Sequence, residues 1–249
     1  MKRSISLLPV IAALFLGHTA SAADAVAAAP AEVSKRTVSP APAMSDADPL
    51  KLYGDEAIYD VFRKGKKIGE HHVMFSRSAA GDFNVKATLN LQVSVLFIKR
   101  AYTFDYSSEE IWRDKRVVSM AAYTNDNGKV TTTAAVLEGS DFKITGSRSN
   151  ILANSWVVPT NHWNRGQVEA TVLLNTLNNR LAEVKIQHKG VEKIETANGA
   201  VEADHFIYTG DLHDIDTWYD KPGRWVKMRF KAKDGSLIEY VCRKCGVSA

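Results

Sequence analysis

The chain has 249 residues, of which 45% are hydrophobic, 24% charged and 9% aromatic. This ordinary globular composition excludes a collagen-like fibre, wholesale disorder and a small scaffold dense in disulfides. The formal net charge is +4, and Lys2 and Arg3, which precede any plausible start of the mature protein, supply two of those charges. Nucleic-acid binders carry a much stronger basic excess, so we predict no nucleic-acid partner.

The amino-terminal residues 1–22 have the layout of a secretory signal peptide. A basic start at Lys2 and Arg3 is followed by an apolar run over residues 5–17 and by a small-residue exit at 20–22. Such a layout predicts cleavage after Ala22. The apolar run has about 13 residues, fewer than the roughly 20 that a membrane-spanning helix needs, and no later stretch supplies a span. We therefore expect a periplasmic or secreted protein.

Residues 23–52 are rich in alanine and proline. The prolines interrupt any helix that the alanines would start, and the segment contains no aromatic residue. It offers too little apolar surface to offset the entropy lost on ordering. We predict a disordered linker over residues 23–52 and a single β domain over residues 53–245, which is long enough for one sizeable core.

One segment alternates between apolar and polar residues with little deviation, from Phe83 to Val95. A period of two predicts a long strand with one dry face and one wet face. A second alternating run follows, and we expect the two strands to form a hairpin that passes through Lys99 and Arg100. The predicted apolar lining of the interior consists of Phe83, Val85, Leu89, Leu91, Val93, Tyr102, Phe104 and Tyr106.

Dipeptides typical of tight turns recur at short intervals between runs rich in Val, Ile, Thr and aromatic residues. Asn-Gly and Asp-Gly are typical of hairpins because both positions adopt positive φ readily. The predicted turns lie at Lys64-Gly65, Asn127-Gly128, Glu138-Gly139, Lys189-Gly190, Asn198-Gly199, Lys221-Pro222-Gly223 and Asp234-Gly235.

These signals together predict an all-β fold. The chain is expected to form an antiparallel meander of about ten or eleven strands, a sheet so large that it must become a roll, an open barrel or a sandwich. At most one short helix fits the pattern, within residues 167–177.

Two cysteines, Cys242 and Cys245, are separated by two residues. In an oxidising compartment we expect a structural disulfide between them. A redox-active C-x-x-C pair is the alternative, although such pairs normally begin a helix in a βαβ unit and this pair follows an apparent strand. A zinc site would need two further ligands, and no spacing points to them. We therefore predict no metal and no cofactor.

Carboxylates are concentrated around a histidine shortly before the predicted turn at residue 221. Asp211, Asp214, Asp216 and Asp220 surround His213 within residues 211–220, and His205 lies a few residues before them. A histidine beside carboxylates suits a hydrolase or a metal-dependent enzyme, and dense oxygen ligands suit calcium. However, the order does not match an EF-hand, and neither H-E-x-x-H nor G-x-S-x-G occurs. A solvated turn, neutralised by the basic residues that follow, is the alternative that we favour.

Two tryptophans, Trp156 and Trp163, flank a loop that contains a proline. Asn161 and Asn164 lie beside the second tryptophan. Aromatic side chains next to amides are typical of a carbohydrate or aromatic-ligand site. The same residues serve equally well to plug the end of a rolled sheet, which is the interpretation that we favour.

An ordered set of short phrases resembles the exported bacterial family that carries the domain of unknown function numbered 6134. The phrases are Tyr59-Asp60-Val61, Gly65, Ile68-Gly69, Trp163-Asn164, Trp218-Tyr219-Asp220, Gly223-Arg224-Trp225-Val226, Asp234-Gly235-Ser236 and Ile238-Glu239-Tyr240. The resemblance covers roughly residues 55–242, and its closing phrases are the most specific. It implies an exported, mostly β domain without an assigned reaction, and it therefore supplies no catalytic residues.

We interpret the chain as a non-enzymatic binding or structural β-roll of the cell envelope, whose apolar face accepts a hydrophobic or lipid-like molecule. An interior packed solid would leave only the structural version. The alternative is a hydrolase or metal-dependent enzyme that uses His205 or His213 with Asp211, Asp214 or Asp216.

Overall fold

The structure, a computed structural model, describes residues 34–36, 44–45, 47–95 and 98–246. At residues 34–36, 95 and 98–100 it describes the backbone alone. The predicted signal peptide, its cleavage site and most of the predicted linker lie outside the described residues.

Strands dominate the described part of the chain. The elements are β1 (Ser34–Arg36), α1 (Pro49–Tyr53), β2 (Glu56–Arg63), β3 (Lys66–Arg77), β4 (Phe83–Val95), β5 (Ile98–Arg113), β6 (Arg116–Asp126), β7 (Lys129–Glu138), β8 (Asp141–Gly146), β9 (Ile151–Asn154), β10 (Val158–Pro159), a 3₁₀ turn (Arg165–Glu169), β11 (Val172–Asn175), β12 (Arg180–Thr196), β13 (Gly199–Gly210), β14 (Ile215–Asp220), β15 (Trp225–Lys231) and β16 (Leu237–Lys244).

These strands form one continuous open sheet. Across it they run in the order β1, β9, β8, β7, β6, β5, β4, β3, β2, β16, β15, β14, β13, β12, β11, β10. Only the two outermost pairs, β1 with β9 and β10 with β11, are parallel. The predicted antiparallel all-β fold is therefore confirmed, and β4 has the predicted bounds.

Local turn chemistry produces the hairpins. In the β6–β7 turn both central residues have positive φ, 51° at Asn127 and 93° at Gly128. The side chain of Asn125 also accepts a hydrogen bond from the Gly128 amide, at 2.8 Å. Turns of this kind match the right-handed twist of the flanking strands, which is why Asn-Gly predicts a hairpin.

Two details of the predicted hairpins were wrong. Ile98 pairs with Val95, so Lys99 and Arg100 belong to β5 and not to the turn of the β4–β5 hairpin. The Lys189-Gly190 dipeptide is not a turn, because β12 runs through it with a bulge at which Gly190 has a φ of 119°. A glycine with positive φ serves a bulge as well as a turn, and the dipeptide alone does not distinguish them.

The helix predicted within residues 167–177 is also absent from the described chain. These residues contain the end of the 3₁₀ turn and then β11. The described chain has 16 strands, more than the predicted ten or eleven, and four of them, β1, β9, β10 and β11, have four residues or fewer. Strands that short are too brief to show a period of two.

The domain begins before the predicted boundary at residue 53. Met44 is buried in the core, and α1 starts at Pro49 with Asp48 as its N-cap. The Asp48 carboxylate accepts a hydrogen bond from the Leu50 amide at 2.9 Å, and proline suits the first helical position because its φ is already helical. The segment 47–52, which the sequence assigns to the linker, is therefore part of the folded domain.

The segment between β9 and β11, residues 155–171, lies inside the curved sheet, and we call it the plug. The phenol of Tyr53 donates to the carbonyl of Trp163 at 2.8 Å, and the phenol of Tyr219 donates to the carbonyl of His162 at 3.0 Å. The Trp163 ring packs edge-on against the Trp112 ring, with 5.4 Å between centroids. Since α1, β5 and β14 all contact adjacent plug residues, the sheet must wrap around this segment.

A second contact joins the two flanks of the sheet. Asn179, in the β11–β12 turn, donates its side-chain amide to the carbonyl of Ser149 at 2.8 Å. The Ser149 hydroxyl in turn donates to the carbonyl of Asn179 at 2.9 Å. This reciprocal pair holds the β8–β9 loop against β12 and keeps the open sheet rolled up.

Candidate functional site

The inner face of the β4–β5 hairpin carries most of the predicted apolar lining. Directly opposed residues of two antiparallel strands point to the same face. The opposed pairs are Val93 with Tyr102, Leu91 with Phe104, and Leu89 with Tyr106. Three apolar pairs therefore form a row that leads from the middle of the hairpin towards its tip.

The plug covers one end of this row. Val85, Leu89 and Tyr106 are buried, the last two at 6% and 4% exposure. The phenol of Tyr106 lies within hydrogen-bond distance of two acceptors, the side-chain amide oxygen of Asn161 in the plug at 3.1 Å and the hydroxyl of Thr176 at 3.0 Å. These residues belong to the packed core.

The other end of the row is only partly covered. Leu91, Val93, Tyr102 and Phe104 are half-buried, and we call these four the hairpin mouth. Half-buried Phe83 lies at the opposite end of β4. The structure thus divides the predicted lining into a closed half and an open half.

The hairpin mouth has a polar rim. The Tyr102 phenol donates to the carboxylate of Asp126 at 2.7 Å, and burial, with Asp126 in support, holds the pKa of Tyr102 well above its usual range. The ammonium of Lys233, from the β15–β16 turn, lies 3.5 Å from the same carboxylate. The apolar row therefore ends at a charged and hydrogen-bonded edge.

Glu110 is a buried acid on the inner face of β5, with 1% exposure. Burial raises its pKa to about 7, against the opposing effect of hydrogen bonds from Trp112, at 2.7 Å, and from Asn161 of the plug. The carboxyl group therefore links the sheet wall to the plug.

Two histidines lie in the aromatic core, His71 on β3 and His162 in the plug. Burial lowers the pKa of His71 to about 3 and that of His162 to about 4. The His162 ring stacks on Trp225 with 5.3 Å between centroids, and the Trp225 ring also contacts His71 at 5.8 Å. Both imidazoles are neutral packing elements at ordinary pH.

The predicted histidine and carboxylate cluster is only partly assembled. His205 lies 2.6 Å from Asp216 through Nε2, and its Nδ1 lies 2.7 Å from Glu192. Both ring nitrogens are thus engaged, which leaves none to take a proton from a substrate. Glu192, 13 positions before His205, was not foreseen because only the pairing of β12 with β13 brings it to His205.

The other members of that cluster lie apart. His213 contacts the carbonyl of Gly210, Asp211 accepts from the amide of Glu183, and Asp214 lies 3.8 Å from Lys231. Within the described ranges, no group of three or more His, Cys, Asp or Glu side chains is arranged to hold a metal ion. The geometry favours a structural role for these residues.

Cys242 and Cys245 form a disulfide, with 5.8 Å between their Cα atoms. Both are buried at the end of β16. No free cysteine occurs among the residues that the structure describes.

A groove of about 520 Å³ lies away from the hairpin mouth, between the residues that precede α1 and the turns that follow β3 and β5. Phe83 and Trp112 form part of its lining. Its arginines already have partners, since Arg77 pairs with Asp48 at 3.0 Å and Arg113 with Asp82 at 2.6 Å. The two arginines of the groove are therefore already neutralised by carboxylates of the chain.

Among the helices of the described chain, none has the length and apolar character to cross a membrane.

Comparison with known proteins supports the fold. The chain is similar to the crystal structure of a beta-barrel-like protein of domain of unknown function DUF1849 from Brucella abortus, with a TM-score of 0.56 and 14% sequence identity. The alignment covers 78% of this chain and 97% of that one. At this identity the likeness concerns the fold alone. No curated protein matches the chain.

The family comparison agrees with the phrases noted in the sequence. The model described as Domain of unknown function (DUF6134) matches residues 59–243, from β2 to the disulfide ring at the end of β16. Because this match covers most of the chain, the protein belongs to the DUF6134 family.

Proposed function

We propose that the protein is an exported, non-enzymatic component of the cell envelope that holds a hydrophobic or lipid-like molecule at the hairpin mouth. One observation carries this proposal: the inner apolar row of β4 and β5 continues beyond the plug, where its side chains are only half covered. Inward-facing apolar surface left uncovered by the protein is what a small apolar ligand would bury.

The side chains of the hairpin mouth favour an amphiphilic ligand. Its four residues are aliphatic or aromatic, and the charged edge formed by Asp126 and Lys233 lies next to Tyr102. An amphiphile would place its apolar body on Leu91, Val93 and Phe104 and its polar group at this edge. Each 100 Å² of apolar surface removed from water contributes roughly 2.5 kcal/mol before the costs of ordering the ligand.

Two observations support export. Residues 1–22 have the layout of a cleaved leader, and Cys242 and Cys245 form a disulfide. Disulfides persist in oxidising compartments and are rare in the bacterial cytoplasm.

Ligand binding is tested by native mass spectrometry of protein purified from a bacterial envelope, followed by titration with a fluorescent fatty acid. We expect a co-purifying mass in the wild type, and at least a tenfold loss of affinity in Phe104→Asp. Tyr123→Asp is the matched control, because Tyr123 is an aromatic residue 40% exposed on the outer face of β6. Equal binding by both variants, or no adduct and no titration in the wild type, would contradict the ligand proposal.

Export is tested separately by expressing the full chain in a bacterium and sequencing the amino terminus of the protein in the periplasmic fraction. We expect a mature chain that begins at residue 23, after Ala22. An intact Met1 in a protein confined to the cytoplasm would overturn this part of the proposal and leave the binding test unaffected.

A further inference from the structure

The β12–β13 hairpin extends beyond its neighbours in the sheet. β12 has 17 residues and β13 has 12, whereas β14 has six. The pairing register shifts between His188 and Gly190, where Gly190 takes a positive φ. A bulge of this kind bends a strand and increases its twist. We call the part of the hairpin beyond the bulge, residues 191–202, the strap.

The strap lies over the outer face of the sheet. Within the sheet β12 is bonded to β11 and β13, yet it also contacts β15 and β16. Tyr219 points inward to the plug, so the preceding Trp218 points outward, and it is nevertheless buried. Ile194 of the strap is buried as well. An outward tryptophan and a buried strap isoleucine show that the strap covers this surface.

The first anchor of the strap is Glu192. Its carboxylate contacts the His205 ring at 2.7 Å and accepts from the indole N–H of Trp218 at 3.0 Å. The rings of His205 and Trp218 stack in parallel, with 4.4 Å between centroids and 12° between planes. One carboxylate of the strap therefore holds a stacked pair on the sheet beneath it.

The second anchor is at the tip of the strap, next to the disulfide. The Ala197 amide donates to the carbonyl of Cys242 at 3.0 Å, and the side-chain amide of Asn198 donates to the carbonyl of Arg243 at 3.1 Å. Both acceptors lie in the four-residue ring that the Cys242–Cys245 bond closes. The ring thus fixes the two carbonyls to which the tip is attached.

The same ring contains two cations, Arg243 and Lys244, that pair with β2 and β3 rather than with the strap. The pairing of β16 with β2 shifts register between Cys242 and Lys244. Arg243 then forms two hydrogen bonds with Glu70, at 2.8 and 3.0 Å, and Lys244 reaches Glu56 at 2.8 Å. The backbone around the disulfide therefore contacts two parts of the chain. Its carbonyls bind the tip of the strap, and its basic side chains bind β2 and β3.

We propose that the Cys242–Cys245 disulfide is a redox-sensitive lock on the strap, and that its reduction releases residues 191–202 and uncovers Trp218 and His205. A dithiol supplies the two electrons and two protons. The S–S bond breaks, both cysteines become thiols, and the dithiol is oxidised to its own cyclic disulfide. Without the closed ring, the carbonyls of Cys242 and Arg243 are no longer held in position for Ala197 and Asn198. This lock is independent of any ligand at the hairpin mouth.

The test is hydrogen–deuterium exchange of the full chain, followed by peptide mass spectrometry. In the double variant Cys242→Ser/Cys245→Ser we expect amides in residues 191–202 to exchange at least tenfold faster than in the wild type, while those of β4 keep their protection. Dithiothreitol added to the wild type is expected to reproduce this change and to have no effect on the double variant. Should the double variant fail to fold, the reduced wild type supplies the same comparison.

Glu192→Gln is the matched control, because it weakens the first anchor and leaves the disulfide in place. We expect the strap of this variant to remain responsive to dithiothreitol. Unchanged exchange of residues 191–202 after verified reduction would overturn the proposal. So would a wild-type disulfide that resists the reagent in the folded protein, or a loss of protection that spreads equally to β4, since the bond would then support the whole domain.

Discussion

Glu110 is an ionisable residue at an inward position of β5, and its pKa of about 7 compares with an ordinary value of 4.5. The folded protein therefore holds this proton more tightly than the unfolded chain does. Its contribution to the free energy of unfolding is present in full below pH 4.5 and is lost as the pH rises through 7.

The contributions of His71 and His162 to the free energy of unfolding change with pH in the opposite direction. Their pKa values of about 3 and about 4 lie below the ordinary 6.5, so their contributions are present above pH 6.5 and are lost as the pH falls towards those values. Between pH 4.5 and 6.5 a rise in pH increases the free energy of unfolding through two histidines and decreases it through one carboxyl group. The free energy of unfolding should therefore rise with pH, by about 1.4 kcal/mol per pH unit, and level off above pH 7.

The variant Glu110→Gln isolates the carboxyl contribution. It loses one of two hydrogen bonds at every pH, since an amide has a single acceptor oxygen. Relative to the wild type it should nevertheless gain roughly 3 kcal/mol between pH 4.5 and pH 8, measured by urea unfolding. Glu109→Gln, at an exposed neighbouring position, is the matched control. A stability difference for Glu110→Gln that stays constant with pH would refute the assigned proton.

At the scale of elements, the hydrogen bonds between Asn179 and Ser149 hold the two flanks of the rolled sheet together. Asn179 is buried and has a φ of 53°, which residues other than glycine and asparagine adopt at a cost. Asn179→Ala loses the hydrogen bond and keeps the costly φ, so we expect it to destabilise the domain by about 2–3 kcal/mol. Asn179→Gly relieves the φ, and should be about 1 kcal/mol less damaging.

Asn127 provides the control for this prediction. It has a similar φ of 51° but lies exposed in the β6–β7 turn, so Asn127→Ala tests the backbone conformation alone. Urea midpoints of the three variants separate the two effects. Equal losses in Asn127→Ala and Asn179→Ala would show that the link to Ser149 contributes nothing to closure.

Much of the sheet could be predicted because its information is local. The period of two specified β4 residue by residue, and Asn127-Gly128 specified a hairpin through backbone conformation. Gly190 shows where this local information ends. Whether a positive-φ glycine ends a strand or bends it depends on what the strand packs against beyond it. Here β12 packs on β15 and β16 and contacts Trp218 of β14.

The site depended on contacts between distant segments, which the sequence does not display. Of the predicted cluster, His205 met Asp216 because β13 and β14 are neighbours, whereas Glu192 arrives from the strap. One signal was available and was missed. Glu110 follows Tyr106 at an even spacing on a strand whose inward positions are otherwise apolar or small, and a charge there marks a buried group.

At the scale of the whole molecule, the centre of the sheet joins opposite ends of the domain. Val61 of β2 pairs with Tyr240 of β16, whereas the strands on either side form from hairpins that are local in sequence. Pairings that close so long a loop form late. A nascent chain therefore carries the bare edge of β2 until β16 has been synthesised, and an interrupted chain would present that edge to its neighbours as a template for aggregation.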